Sequence, residues 1–363
     1  MENRIVMMDL TAFLKELMSL PGLSAYEDPV RELIKQRWEP FVDATYVSKL
    51  GSLHALRRGK AAEPRKRILL AGHMDAIGLM VTGIKDGFIR FTEIGGVDYR
   101  ILPGQRVVIY GREVLPGVII QPSPRLLPPD LADKPVPMAR LWIDTGLEPS
   151  EVNQKVRVGD IIMFAQAPIE LGNKALSGHS LDDRAAIAAI SVCLEELQHV
   201  SHAWDVWAVA TVQEEETLGG AMTSPFEIQP NLAIAVDVTF AKGPGVSEYP
   251  GFAWDKGPTL GWGPNIHPAL HKAFKELAEK LDIPCQVEVM PRHSGTDAIA
   301  MQVTAEGIPC LVVGIPLRYM HTPVETVILK DIERTGHLLA QFIAHLDPEY
   351  MPKFDWEEDN EHK

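Results

Sequence analysis

Val206-Trp207-Ala208-Val209-Ala210-Thr211-Val212-Gln213-Glu214-Glu215-Glu216 is an apolar run that ends in three consecutive carboxylates. The run from Val206 to Val212 predicts a buried strand. Adjacent residues leaving a strand point to opposite sides, so Glu214 and Glu215 are expected to do different work. One is placed to hold a metal while its neighbour handles a proton. A Glu run met alone more often opens a solvated loop; its surroundings in the chain decide between the two.

Working outward, the same texture recurs on both sides. Arg67-Ile68-Leu69-Leu70-Ala71 predicts a short buried strand that delivers Gly72-His73-Met74-Asp75. A helix is expected from Leu181 to about Gln198, with Ser180 as N-cap and Asp183 completing a start that resembles a capping box. Further strands are expected at Leu232 to Val236 and Leu311 to Val313, with helices at His267 to Leu281, Thr296 to Ala305 and Lys330 to Leu346. Near the N-terminus, Leu10, Phe13, Leu14 and Leu17 fall at helical spacing until Pro21-Gly22 stops them, and a second helix is expected over Asp28 to Arg37. Strand and helix alternating in this way predict an α/β protein with a mostly parallel sheet covered on both faces, whose sites form where strands end.

Between Gly78 and about Ala167 the pattern changes to short apolar runs broken by Gly and Pro. Asp86-Gly87 marks a hairpin between Leu79 to Ile84 and Phe88 to Ile94. Strands are also expected at Arg106 to Tyr110, Gly117 to Ile120 and Asp160 to Phe164, with the Pro-rich loop Gln121 to Pro137 among them. Residues 78–167 therefore read as a small all-β domain inserted into a larger one made of 1–77 and 168–353, with a polar tail, 354–363.

The chain has 363 residues, room for two domains. It carries 35 Lys and Arg against 49 Asp and Glu, a net charge of -14, and no basic block. Such a surface repels nucleic-acid backbones and anionic membranes. No apolar run approaches the roughly 18 residues that span a bilayer, and no export signal is apparent. Cys193, Cys285 and Cys310 are odd in number, widely spaced and set in apolar segments, which suits buried thiols in a reducing, cytoplasmic setting.

Five candidate ligands fall at strand ends or at a helix start: His73, Asp182, Glu215, Asp237 and His321. Two imidazoles and three carboxylates suffice for two adjacent divalent ions that share a bridging carboxylate. The mixed nitrogen and oxygen set suits zinc first, with cobalt or manganese as substitutes. Glu214 is left over as a proton carrier. Each residue alone has an ordinary explanation, such as Asp182 and Asp183 favouring a helix N-terminus. All five falling at element ends is harder to explain that way.

Ala71-Gly72-His73-Met74-Asp75-Ala76-Ile77-Gly78, Leu181-Asp182-Asp183-Arg184, Thr211-Val212-Gln213-Glu214-Glu215, Ala235-Val236-Asp237-Val238-Thr239 and Arg318-Tyr319-Met320-His321-Thr322-Pro323-Val324-Glu325 together resemble the tetrahedral and glutamyl aminopeptidases, metallopeptidase family 42. The resemblance spans nearly the whole chain and keeps the family's motif order. It implies a phosphorylase/hydrolase-like three-layer αβα catalytic domain, interrupted by a β-barrel-like, PDZ-like domain used in oligomer contacts. By resemblance, His73 and Asp237 bind one metal, Glu215 and His321 the other, and Asp182 bridges them. Glu214 is then the general base, and Asp75 orients His73, whose second ring nitrogen needs an acceptor. The implied activity is removal of N-terminal residues from short peptides by a dodecameric homo-oligomer.

Ala76, Glu216, Thr217, Gly219 and Arg125 depart from the family's usual residues, which bears on pocket shape. Asp183 and His293 are candidate supporting residues, whereas His179 and His267 read as structural. Two other functions share this site: a dinuclear deacylase of N-acyl amino acids, and a metal-stabilised assembly protein with lapsed chemistry. A retained Glu214 argues against the second.

Overall fold

The computed structural model describes residues 8–131, 134–246 and 251–353. The predicted polar tail, 354–363, lies outside the described residues.

The strands Asp205–Thr211, Arg67–His73, Leu232–Phe240 and Cys310–Arg318 lie side by side and parallel at the centre of an eleven-stranded sheet. They are buried almost end to end, as expected for strands covered on both faces. The expectation of a mostly parallel sheet holds only there. Ala44–Val47 and Leu53–Arg57 extend one side antiparallel, and Glu325–Ile328, Ala175–Gly178 and Ile169–Leu171 extend the other. Short connections such as residues 48–52 permit the antiparallel pairs, and helix-length crossovers make the parallel ones. Thr259–Trp262 branches from Cys310–Arg318 and carries Gln286–Val289 on its outer side.

Leu181–Glu196 and Leu329–His345 pack on each other and on the central strands, joined by the N-terminal helices Leu10–Ser19 and Asp28–Trp38. Phe13, Leu14 and Leu17 are completely buried; together they contribute on the order of 5 kcal/mol, enough to dock a helix too short to persist alone. A second group, Gly219–Ile228 and Ala298–Gln302, also packs on the sheet.

The segment expected as an insertion forms a separate closed barrel. Its six strands run from Gly78–Lys85 to Ile161–Phe164 and enclose their own core, with Ile109, Ile119, Ile143 and Ile162 at its centre. Asp86 and Gly87 make the tight hairpin turn, both at positive φ (52° and 83°), as a two-residue reverse turn requires. The Pro-rich stretch carries short 3-10 turns at Pro124–Leu126 and Pro129–Leu131. Arg125 is exposed there.

The start of Leu181–Glu196 departs from the expected capping box. Ser180 sits at φ 72° and makes no side-chain cap, and Asp182 and Asp183 are non-helical. Glu325, from a distant strand, instead accepts the N–H groups of Leu181 at 2.8 Å and Asp182 at 3.2 Å. That frees both Asp carboxylates from capping. Arg184 is fully buried and donates to the carbonyls of Leu17, Leu20 and Gly22, tying the first helix to this turn. Burial lowers its guanidinium to about 10, and Asp75 and Glu325 favour its charge. Replacing Arg184 by Met leaves three carbonyls without their donor, and is expected to cost about 3 kcal/mol or more. The shift of the urea midpoint of the ion-free protein measures this.

Candidate metal centre

The parallel strands deliver their carboxyl ends to one edge of the sheet. Thr211 pairs with His73, and Ala235 pairs with Ala71, so Asp237 follows two residues on toward His73. The strand before the Glu run ends at Thr211, one residue earlier than its apolar pattern suggests. Gln213 takes a left-handed conformation and Glu214–Thr217 forms a single helical turn. Glu214 and Glu215 therefore diverge as neighbours on one helical turn, not by strand alternation.

Asp75 holds that turn in place. It is completely buried, and one carboxylate oxygen accepts the Glu214 N–H at 3.0 Å. The other accepts the Glu215 N–H at 3.2 Å and the Ser24 hydroxyl at 2.6 Å. Burial alone would raise its pKa, but its bond and attraction to His73 and these donors hold it below the usual carboxylate range.

The two histidines are arranged alike. His73 Nδ1 faces the Asp75 carbonyl at 3.0 Å, and its Nε2 lies 3.2 Å from Asp182 Oδ1 and 3.9 Å from Glu214 Oε2. His321 Nδ1 faces the Gly96 carbonyl at 3.0 Å, and its Nε2 lies 3.3 Å from Asp182 Oδ2 and 3.5 Å from Glu215 Oε2. A carbonyl at Nδ1 fixes the proton there and leaves Nε2 as a ligand atom aimed at carboxylates. Asp182 thus presents one oxygen to each imidazole. Burial works against charge on both rings, yet the neighbouring carboxylates raise both, His73 well above the usual value.

Without a cation the acids are over-supplied. Burial, aided by repulsion from Asp237, Asp297 and Asp182, pushes Glu214 up to about 9 despite attraction to His73. Asp183, Glu215 and Asp237 are driven well above the carboxylate range by burial and by the charge of neighbouring carboxylates, Asp182 among them in every case. Asp182 goes the other way: burial opposes it, but both histidines hold it low. Buried oxygens of Glu215 and Asp183 have no hydrogen-bond partner among the described residues. Ligand atoms of His73, Asp182 and Glu215 lie within 4.8 Å of one another, as do those of His73, Asp183 and Asp237. Mixed N and O donors, surplus negative charge and orphaned oxygens together fit divalent cations.

The structure brings all five sequence-predicted ligands to one cavity of about 500 Å³, with Glu214 beside them. Asp183 joins them more directly than its sequence position suggested. Its Oδ2 accepts the His73 backbone N–H at 3.2 Å. His293 is exposed but lines the same cavity. His179 packs edge-on against Phe164 of the barrel, kept neutral by burial with a pKa of about 3. His267 accepts the Ala269 N–H at 3.3 Å at a helix start. Sequence reasoning gave no role to Glu325, which also accepts the His321 N–H at 3.0 Å. Its position four residues after His321 was the available signal. Of the unusual residues, Ala76 is buried with its N–H on the Gly22 carbonyl at 3.0 Å, and Glu216 accepts the Gly95 N–H of the barrel at 2.6 Å.

Residues 51–338 match the family model described as M42 glutamyl aminopeptidase. A lysyl aminopeptidase of Pyrococcus furiosus is 35% identical over 92% of this chain and 97% of its own. Among solved structures, an aminopeptidase from the archaeon Desulfurococcus kamchatkensis superposes with a TM-score of 0.86 at 36% identity, covering 94% of this chain and 96% of that one. The TET1 peptidase of Pyrococcus horikoshii, described as assembling into a tetrahedron or a large octahedral shell, gives 0.81 at 30% identity over 93% and 100%.

A Cβ on Gly96 would lie 2.8 Å from His321 Nδ1, so Gly96→Ala must displace the ring. Divalent-ion affinity, followed by calorimetric titration, is expected to fall roughly 10-fold or more. The melting temperature of the ion-free protein should change little.

Proposed function

The chain belongs to the M42 glutamyl aminopeptidase family, and from that premise we propose a metal-dependent aminopeptidase that removes N-terminal residues from short peptides. One observation carries the reading: Asp182 offers an oxygen to each of two imidazoles whose other nitrogens are already engaged, while Glu214 stands beside them outside both ligand clusters. His73 and Asp237 are assigned to one ion, Glu215 and His321 to the other, with Asp182 between. The donor set suits zinc, with cobalt or manganese as substitutes. Bound divalent ions supply Lewis acidity, which lowers the pKa of water and stabilises charge on a carbonyl oxygen.

Glu214 is assigned the proton. Its carboxylate is nearly buried beside His73, where it can accept a proton from the attacking water and return it to the departing amine. Asp75 acts through others: it positions His73 and both Glu backbones. The remaining carboxylates attract the substrate's free α-ammonium, which limits cleavage to the first residue.

Residues 1–77 and 168–353 serve as the catalytic domain, and 78–167 as the domain for contacts between copies. Supporting the second role, Val114 and Val118 project from one barrel strand at 62% and 41% exposure, and Leu126, in the turn that follows that strand, is 78% exposed. A tetrahedral, dodecameric homo-oligomer is the assembly proposed, supported by the dodecamer and tetrahedron described for similar TET peptidases. Free Cys193, Cys285 and Cys310 suit the reducing cytoplasm.

The test uses ion-reconstituted protein and a panel of free and N-acetylated aminoacyl anilides. Only the free-amine substrates should turn over, and a chelator should abolish turnover. Glu214→Gln should retain both ions yet lose about 10²- to 10⁴-fold in kcat. Equal cleavage of acetylated substrates would overturn the aminopeptidase reading in favour of a deacylase. A variant as active as the parent would remove Glu214 from the chemistry.

A further inference from the structure

The metal-centre cavity holds one more carboxylate, Glu288, which none of the roles above uses. It comes from the edge strand Gln286–Val289, whose Val287 and Val289 face outward while Glu288 turns in. Its Oε1 accepts the Thr239 hydroxyl at 2.7 Å, and its Oε2 accepts the Thr259 hydroxyl at 2.6 Å. Two donated O–H groups leave each oxygen with accepting capacity. Burial raises its pKa, and the two threonines work in the opposite direction. Among the described residues no Lys or Arg lines the cavity, and none pairs with Glu288.

Its position is set by the sheet. Gly314 pairs with Asp237 on one side and with Thr259 on the other. A Cβ on Gly314 would lie 2.3 Å from the Thr259 hydroxyl and 3.1 Å from Glu288 Oε2, so only glycine lets this carboxylate reach across. Thr239, which holds its other oxygen, stands two residues beyond Asp237 on the same strand face, roughly 7 Å along. That interval is one a lysine or arginine side chain can span from the metal centre. Phe240, Met290, Ile299 and Met320 line the same cavity and offer apolar surface to an alkyl stem.

We propose that Glu288 receives the cationic side chain of the substrate's first residue, making this a site for peptides that begin with Lys or Arg. The assignment rests on the aminopeptidase reading and deepens it. A carboxylate held by two threonines, with lone pairs open and no cation of its own, is complementary to an ammonium or guanidinium. An acidic first residue would instead meet repulsion.

The test has two readouts on the full-length, ion-loaded protein. Calorimetry compares L-lysinamide with L-norleucinamide, which differ by the terminal ammonium. Anilide hydrolysis compares Lys, Arg, Leu and Glu. Lysinamide should bind about 10- to 100-fold more tightly than norleucinamide, and Glu288→Gln should bring that ratio close to unity. The variant should lose a similar factor in kcat/KM for Lys and Arg, mostly through KM, and change Leu less than about threefold. Glu288→Lys should raise the relative rate for Glu.

Equal binding of the two amides by the parent protein would overturn the assignment. So would an equal loss on Leu and Lys in Glu288→Gln, which would move Glu288 to the α-amine or to the frame. If every anilide is inert but the lysinamide preference exists and vanishes in the variant, the pocket assignment stands and the hydrolytic reading falls. If all anilides are cleaved with no basic preference, the hydrolytic reading stands and the pocket assignment falls.

Discussion

Concentrated negative charge at the carboxyl edge of four buried parallel strands is the constraint on which the rest of this molecule depends. Asp182, Asp183, Glu214, Glu215 and Asp237 meet there beside the imidazoles of His73 and His321. Buried carboxylates in such number are costly unless cations join them. The surrounding structure nevertheless fixes the segments that carry them, because other buried carboxylates accept their backbone N–H groups. Asp75 accepts from the Glu turn, Glu325 accepts from the Asp182 segment and from His321, and Asp183 accepts from His73. These bonds meet the backbone's needs and leave other oxygens, such as those of Glu215 and Asp183, free for ligation.

The barrel takes part in this arrangement through its backbone. The Gly96 carbonyl orients His321, and the Gly95 N–H reaches Glu216. Both contacts use groups that every residue carries, but at Gly96 only a residue without a side chain can come so close. A rigid barrel with its own core can hold one side of a site built mainly by the sheet. A shift of the barrel relative to the sheet would therefore be felt first at His321.

Glu216 shows how a departure from a family's pattern acquires a physical meaning. Read along the chain, it is a third acid in a row; in space it is not among the residues that line the cavity, and it accepts a backbone hydrogen bond from the barrel. Ala76, the other departure beside a proposed ligand, is buried against residues 21–23. Neither displaces a proposed ligand. Gly314 works in the opposite sense: its bareness admits Glu288 to a cavity that its position on an edge strand would not suggest.

By itself the sequence determined the α/β alternation, the Asp86-Gly87 hairpin and the acids and histidines at element ends, because these depend on periodicity and turn chemistry within a few residues. The strand Arg67–His73 and the helix Leu329–His345 were legible for that reason. It misjudged the start of Leu181–Glu196, where Glu325 does the capping expected of Ser180, and it extended parallel pairing beyond the central strands. Only the tertiary structure decided which charges share a cavity. Gly96 and His321 lie 225 residues apart, and Leu181 and Glu325 lie 144 apart. Strand order and register, not local pattern, make such residues neighbours, and no propensity of either partner records the other.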